Sequence, residues 1–220
     1  MAKQKDFVVF GLGKFGRSVA QTLSQNGCDV LAIDRNEEII QEISEYVTHA
    51  VQADVTDQDA LHSLGIRNFD VAVVAISNDM QASIMATILA KEMGVKYVLA
   101  KAQNSIHKRV LEKVGADKVI FPEREIGVRI ANNIISDNFV DYIELSNDYS
   151  IVEIAVNDHW IGKTLRELNL RVVYGVNVMA IRDGEDISVT PGPDKVLQAG
   201  NVLVVIGSND NLRKINMKNV

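Results

Sequence analysis

The sequence predicts an α/β fold, a Rossmann-type doubly wound parallel sheet followed by a smaller α+β domain, and three observations predict it. Up to about residue 121, short β-branched runs alternate with longer segments of helical period, which is how strands joined by crossover helices read. A glycine-rich turn, Gly11-Leu12-Gly13-Lys14-Phe15-Gly16, directly follows the first of those runs. Past Asn138 the texture changes to isolated strands separated by polar turns.

Taken in order, strands are predicted at Phe7–Phe10, Val30–Asp34, Ala50–Ala53, Val71–Ile76, Tyr97–Ala100 and Lys118–Phe121. Helices are expected between them at Phe15–Ser24, Glu37–Glu45, Asp57–Leu64, Met80–Met93 and Ser105–Lys113. Gly27, Gly65, Gly94 and Gly115 each follow a periodic segment, where a left-handed helix stop would sit. Right-handed crossovers then place a ligand crevice at the carboxyl ends of the first and fourth strands. A further helix from Pro122 through Ile126, Ile130 and Ile134 to Ser136 is spare, because the sheet is already complete. The second domain is expected to hold strands at Ile151–Val156, Val176–Ile181, Ile187–Thr190 and Val202–Ile206 and a short helix at Thr164–Leu168. Asp183-Gly184 is expected at the centre of a hairpin turn, and Pro191-Gly192-Pro193 punctuates the next connection. The domains are set at 1–136 and 137–220.

Composition narrows the function. The longest apolar runs, such as Val71–Ile76, fall far short of the roughly 18 residues of a membrane-spanning helix, and Met1–Asp6 does not read as a leader. A cytosolic location is expected. Cys28 is the single cysteine and the 4 histidines are scattered, so neither a disulfide framework nor transition-metal spacing is present. Net charge is -6, with 15 basic and 17 acidic residues in 1–136 and 8 and 12 in the remainder. Neither part has the cationic surface that nucleic acid requires.

The chemistry centres on the glycine turn. Its first glycine (Gly11) makes the turn, the second (Gly13) lets backbone approach a phosphate, and the third (Gly16) lets helix meet strand. The helix that it opens offers free N–H groups to that phosphate. Asp34 ends the second strand 18 residues after Gly16, where it can accept both ribose hydroxyls and disfavours a 2′-phosphorylated ligand. Asp54, Asn78 and Asp79 follow the third and fourth strands, within reach of an adenine edge or a ribose, or else cap the helices behind them. Lys101 ends the fifth strand and Glu123 lies beyond the sixth. A lysine there can face a phosphate and a glutamate can hold a divalent cation against one, with solvated surface as the alternative for both.

A dehydrogenase is the competing class, through the Tyr97-x-x-x-Lys101 spacing of short-chain reductases. Here those residues fall in a strand, which separates the Cα atoms by roughly 13 Å against about 6 Å on a helix. No nucleophile elbow or Ser/His/Asp set accompanies them. An NAD-dependent oxidoreductase and a redox-sensing Rossmann repressor are the alternatives, but the first needs a catalytic acid near the nicotinamide and the second a basic winged helix.

Across nearly its whole length the chain resembles the regulator-of-potassium-conductance family, most closely the KtrA-type cytosolic subunits of bacterial Ktr potassium uptake. The resemblance rests on the glycine turn, Asp34, Leu64-Gly65-Ile66-Arg67-Asn68-Phe69, Val74-Ala75-Ile76 and Lys101-Ala102-Gln103-Asn104. It continues through Val114-Gly115-Ala116-Asp117, Pro122-Glu123-Arg124, Glu144-Leu145-Ser146 and Leu170-Arg171-Val172-Val173-Tyr174-Gly175. It implies a homodimer assembled into an octameric ring, docked at the inner face of the membrane on a Ktr/Trk-type potassium-translocating subunit. ATP would favour the active form and ADP the inactive one, in a fingerprint that also admits NAD(H). Glu123 matches the acidic residue that holds Mg²⁺ or Ca²⁺ beside ATP, and the spare helix matches the crossover helix exchanged between dimer partners. Lys14 stands where the family often has an arginine meeting the terminal phosphate across the dimer; lysine keeps the charge without the two-pronged geometry. The resemblance also implies inhibition by cyclic di-AMP in a groove between C-terminal domains, with Arg171, Asn169 and Asn177 on positions similar to that site. Val172 and Val173 depart from the family pattern there, and a purely structural dimerisation surface is the alternative.

Overall fold

A computed structural model describes residues 5–135, 139–146 and 148–217. Its contacts divide the chain into two compact units, 1–122 and 123–220. The predicted boundary at 137 and the predicted helix end at Ser136 lie outside the described residues.

The first unit holds strands β1 (Asp6–Phe10), β2 (Asp29–Asp34), β3 (His49–Gln52), β4 (Val71–Val74), β5 (Tyr97–Lys101) and β6 (Lys118–Ile120). They pair in parallel in the order β3-β2-β1-β4-β5-β6. The order reverses between β1 and β4, where the sequence places the crevice. Between the strands run α1 (Lys14–Gln25), α2 (Glu37–Ile43), α3 (Gln58–Ser63), a 3-10 turn at Ile66–Asn68, α4 (Met80–Glu92) and α5 (Ser105–Lys113).

Both faces of this sheet are covered, which is why its strands read as continuous apolar runs. Successive residues point to opposite sides: Val8, Phe10, Leu31, Ile33, Ala72 and Val74 enter one core, while Val9, Val30, Ala32, Val71 and Val73 enter the other. Helix ends follow local chemistry. Asn36, Asp57, Asp79 and Asn104 cap α2 to α5 by accepting backbone N–H groups of the first turn. The four predicted glycine stops all have positive φ.

In the second unit α6 (Pro122–Ile135), whose first residue closes the first unit, leads into β7 (Phe139–Glu144), β8 (Tyr149–Ala155), α7 (Leu165–Leu168), α8 (Leu170–Tyr174), β9 (Asn177–Asp183), β10 (Asp186–Val189), β11 (Asn201–Ser208) and α9 (Asn209–Met217). The strands form an antiparallel sheet in the order β10-β9-β11-β8-β7. Val152, Ile154, Ile181, Leu203 and Val205 bury one face of it with Trp160, Leu170, Leu212 and Ile215. The hairpin between β9 and β10 is shifted by one residue from expectation: Asp183 still pairs with Asp186, so Gly184-Glu185 forms the turn. Strand β7 and helices α8 and α9 are additions to the predicted elements.

Candidate functional site

The glycine turn is built from three different steric demands. Gly11 has φ +86°, and a Cβ there would lie 2.8 Å from Ile76 Cγ1. A Cβ on Gly16 would lie 1.9 Å from the Gly11 carbonyl oxygen and 2.9 Å from Ala75 Cβ, so only glycine lets α1 approach the turn and β4. Around the Cβ position of Gly13 there is nothing within 4 Å. The turn is therefore tight where it packs and open where a phosphate would approach. Gly13 is also the N-cap of α1 and has no side chain to occupy the N–H groups that follow.

Asp34 ends β2 against this turn. One carboxylate oxygen, Oδ2, accepts the Leu12 N–H at 2.7 Å, and Oδ1 accepts the Asn36 N–H at 2.9 Å. The carboxylate fastens the glycine turn to the start of α2 and has acceptor capacity left for a ribose. Gly11, Gly13, Asp34, Asp54 and Asn78 all line one cavity of about 500 Å³ at the carboxyl ends of the strands. Asp54 does not cap α3; Asp57 does. Instead Asp54 accepts the Thr56 backbone N–H at 2.8 Å and the Thr56 hydroxyl at 2.7 Å, bonds that hold its carboxyl below the usual carboxylate range. Asp79 lines the cavity and also caps α4 through Ala82 N–H.

Lys14, Phe15, Gly16, Lys101 and Glu123 are not among the residues that line that cavity. Lys14 is exposed in the first turn of α1. Phe15 packs in a core, and the buried Lys101 places Nζ 5.6 Å from the Phe15 ring centroid, a cation–π contact beside the glycine turn. Tyr97 and Lys101 are the two ends of β5, not neighbours on a helix. Glu123 lies exposed in the first turn of α6, in the second unit. Among the described residues no group of three His, Cys, Asp or Glu is placed to hold a metal ion, and no helix is long and apolar enough to cross a membrane.

Residues 7–122 match the TrkA-N domain model and residues 149–218 the TrkA-C domain model. The chain belongs to the TrkA family. It is 45% identical over 205 residues to Ktr system potassium uptake protein C of Bacillus subtilis (strain 168), covering 93% of each chain. Ktr system potassium uptake protein A of the same organism is 42% identical over 212 residues, with 96% of each chain covered. The fold is shared with the crystal structure of the GsuK RCK domain, at a TM-score of 0.70 and 18% identity, over 98% of this chain and 48% of that one.

In this TrkA-type chain the two matched domains each carry one of the predicted sites, and α6 lies mostly in the stretch between them. In the TrkA-C part, Asn169, Arg171 and Asn177 line a single groove of about 160 Å³ together with Leu165, Leu170, Val176 and Val178. Asn169 ends α7 in a left-handed conformation, φ 42°, and so turns the chain directly into α8, which carries Arg171. Asn177 opens β9 across the groove. Three residues separated by eight positions are thus brought together by a tight turn of chain. Arg35 and Thr56 also belong to the larger cavity and were not anticipated. Arg35 follows Asp34 directly, a place where a cation faces the ribose region; Thr56 had a signal only as a hydroxyl two residues past an aspartate, the spacing of a local Asx turn.

Proposed function

We propose that this chain is a cytosolic regulatory subunit of a potassium-uptake system, a sensor of ATP and ADP and not an enzyme, that gates a membrane-embedded Ktr/Trk-type translocating partner. One observation carries the reading: a single cavity joins a glycine turn open at Gly13 to the carboxylate of Asp34, the two ends needed by phosphate and ribose. The likeness to Ktr potassium uptake proteins over nearly the full chain supports the system in which that sensor works. Gly11, Gly13, Gly16 and the N-terminus of α1 would receive the phosphates and Asp34 the ribose. Lys14 and Glu123, the latter with Mg²⁺ or Ca²⁺, would distinguish a third phosphate within a homodimer of an octameric ring. The groove at Asn169, Arg171 and Asn177 would take cyclic di-AMP, the arginine suiting a phosphodiester, and bias the partner toward its closed form.

Thermal-shift titration of the purified chain with ATP, ADP, NADH and cyclic di-AMP tests this reading, since a ligand that prefers the folded state raises Tm. ATP, ADP and cyclic di-AMP are expected to raise it. A Tm that none of them moves, or steady nucleotide hydrolysis by the pure protein, would sink the proposal.

A further inference from the structure

The second unit holds a further cavity, of about 490 Å³, lined by Trp160, Leu168, Leu170 and Tyr174 together with Lys163 and Glu167. Only Leu170 is shared with the groove of Asn169, Arg171 and Asn177, and the volume falls in the range of small-molecule sites. Local hydrogen bonds fix its wall. The Trp160 N–H donates to Asn157 Oδ1 at 3.1 Å, and the Trp160 carbonyl accepts the Lys163 N–H at 3.1 Å. Thr164 then caps α7 reciprocally: its hydroxyl oxygen accepts the Glu167 N–H at 3.2 Å, and Glu167 Oε2 accepts the Thr164 N–H at 2.7 Å.

The Glu167 carboxylate is engaged on one side only. The Thr164 hydroxyl also donates to Oε2, at 2.9 Å, and Oε1 accepts nothing from the described residues. The Thr164 bonds hold the carboxyl below the usual carboxylate range, and the nearby Lys163 charge adds to them. The Lys163 ammonium itself makes no hydrogen bond or ion pair with a described residue. A cation and a carboxylate oxygen, both with bonding capacity to spare, thus stand beside an aromatic and aliphatic wall.

We infer that this cavity binds a free α-amino acid with a large apolar side chain, its carboxylate on the Lys163 ammonium and its ammonium on Glu167 Oε1. The side chain lies against Trp160, Leu168, Leu170 and Tyr174. The pair of charges matches a zwitterion and selects against its neighbours: an anion that satisfies Lys163 meets the Glu167 carboxylate, and an amine that satisfies Glu167 meets the Lys163 ammonium. Charge-assisted hydrogen bonds orient the ligand, while affinity grows with each methylene laid on the wall. Glycine has nothing to lay there and is refused.

Ligand-observed NMR titration of the full chain with leucine, phenylalanine, glycine, leucinamide and N-acetyl-leucine tests the inference without any variant. Leucine and phenylalanine are expected to bind, and glycine at least about 100-fold more weakly than leucine. Leucinamide and N-acetyl-leucine, which each lack one charge, are expected to bind about tenfold more weakly or worse. In Glu167→Gln the amide oxygen keeps the Thr164 cap and the NH₂ takes the open side, so the preference for leucine over N-acetyl-leucine is expected to fall by about tenfold. Lys163→Met is expected to do the same to the preference for leucine over leucinamide. Absence of leucine and phenylalanine binding at about 10 mM, equal binding of leucine and its two blocked forms, or an unchanged preference in either variant overturns the inference.

Discussion

Asp34 Oδ2 accepts the backbone N–H of Leu12 at 2.7 Å, so the acid that ends β2 also holds the glycine turn in place. In the proposed nucleotide site, ribose and phosphate recognition would be joined through one carboxylate, and a substitution there would act on both.

Asp34→Ala is therefore expected to weaken ATP and ADP by the same factor, about 10–100-fold, because it removes a charged acceptor from a ribose that both ligands share and loosens a turn that both use. Calorimetry of parent and variant with each nucleotide checks it. A change in the ATP to ADP ratio would place Asp34 near the terminal phosphate instead.

The glycines separate stability from binding. Gly16→Ala forces a Cβ to within 1.9 Å of the Gly11 carbonyl oxygen and is expected to destabilise the unit by about 3 kcal/mol or more. Gly13→Ala meets no atom within 4 Å and has an ordinary φ of -61°, so its Tm in the absence of nucleotide should stay close to the parent value. Its affinity for ADP should fall, because the added methyl occupies the approach to phosphate. Chemical denaturation and ADP titration of the pair test both halves of the contrast.

These same residues mark what is legible in the sequence. Strands buried on both faces, such as β1 with Val8 and Phe10 on one side and Val9 on the other, announce themselves by composition. Predicted β4 ran to Ile76, but its last ladder residue is Val74, because Ala75 and Ile76 leave the strand to form the cavity lip. Helix α8 reads Leu-Arg-Val-Val-Tyr, a strand-like string held helical by the left-handed Asn169 before it, the buried Leu170 within it and Gly175 after it. Helix α9 is mostly polar in sequence, and Leu212 and Ile215 pack it against the sheet. Asp34 and Asp54 were legible because strand ends can be counted. That Thr56 occupies one oxygen of Asp54 through two hydrogen bonds was not, since it depends on the path of the loop after β3.

His107 is fully buried in α5, and burial lowers its pKa from 6.5. Nδ1 accepts the Gln103 N–H at 3.4 Å, while Nε2 has no hydrogen-bond partner among the described residues. A histidine whose folded pKa lies below its unfolded one contributes stability that is complete above the unfolded value and is lost as pH falls from about 6.5 through the folded value. Denaturation curves from pH 7.5 to 5 should show that loss, and His107→Leu should flatten this part of the slope whatever it does to absolute stability. An identical slope in the variant would assign the acid sensitivity to other groups.

In the TrkA-C part, Arg171→Ala is expected to weaken cyclic di-AMP by about tenfold or more, through loss of a charge-assisted hydrogen bond to phosphate, with ATP affinity unchanged. One ligand per two chains is the expected stoichiometry for a two-fold symmetric molecule. Unchanged affinity in the variant would move the ligand away from the groove of Asn169, Arg171 and Asn177.

The last expectation concerns how a third phosphate is sensed. Binding alone switches nothing, since a ligand shifts a conformational equilibrium only through unequal affinity for the two states. Mg²⁺ and Ca²⁺ are hard cations that take oxygen ligands, and a cation that accompanies nucleotide would draw on phosphate oxygens as well as on the protein. Its hold should then depend on which phosphates are present. Glu123, in the first turn of α6, is the proposed protein ligand, and without the cation its charge would repel the γ-phosphate. Mg²⁺ or Ca²⁺ is thus expected to tighten ATP more than ADP, and Glu123→Gln to abolish that difference while changing ADP affinity little. Titrations of parent and variant with each cation, and again after its removal with a chelator, decide the matter: a cation enhancement of ATP binding that survives in Glu123→Gln would mean that other groups hold the metal.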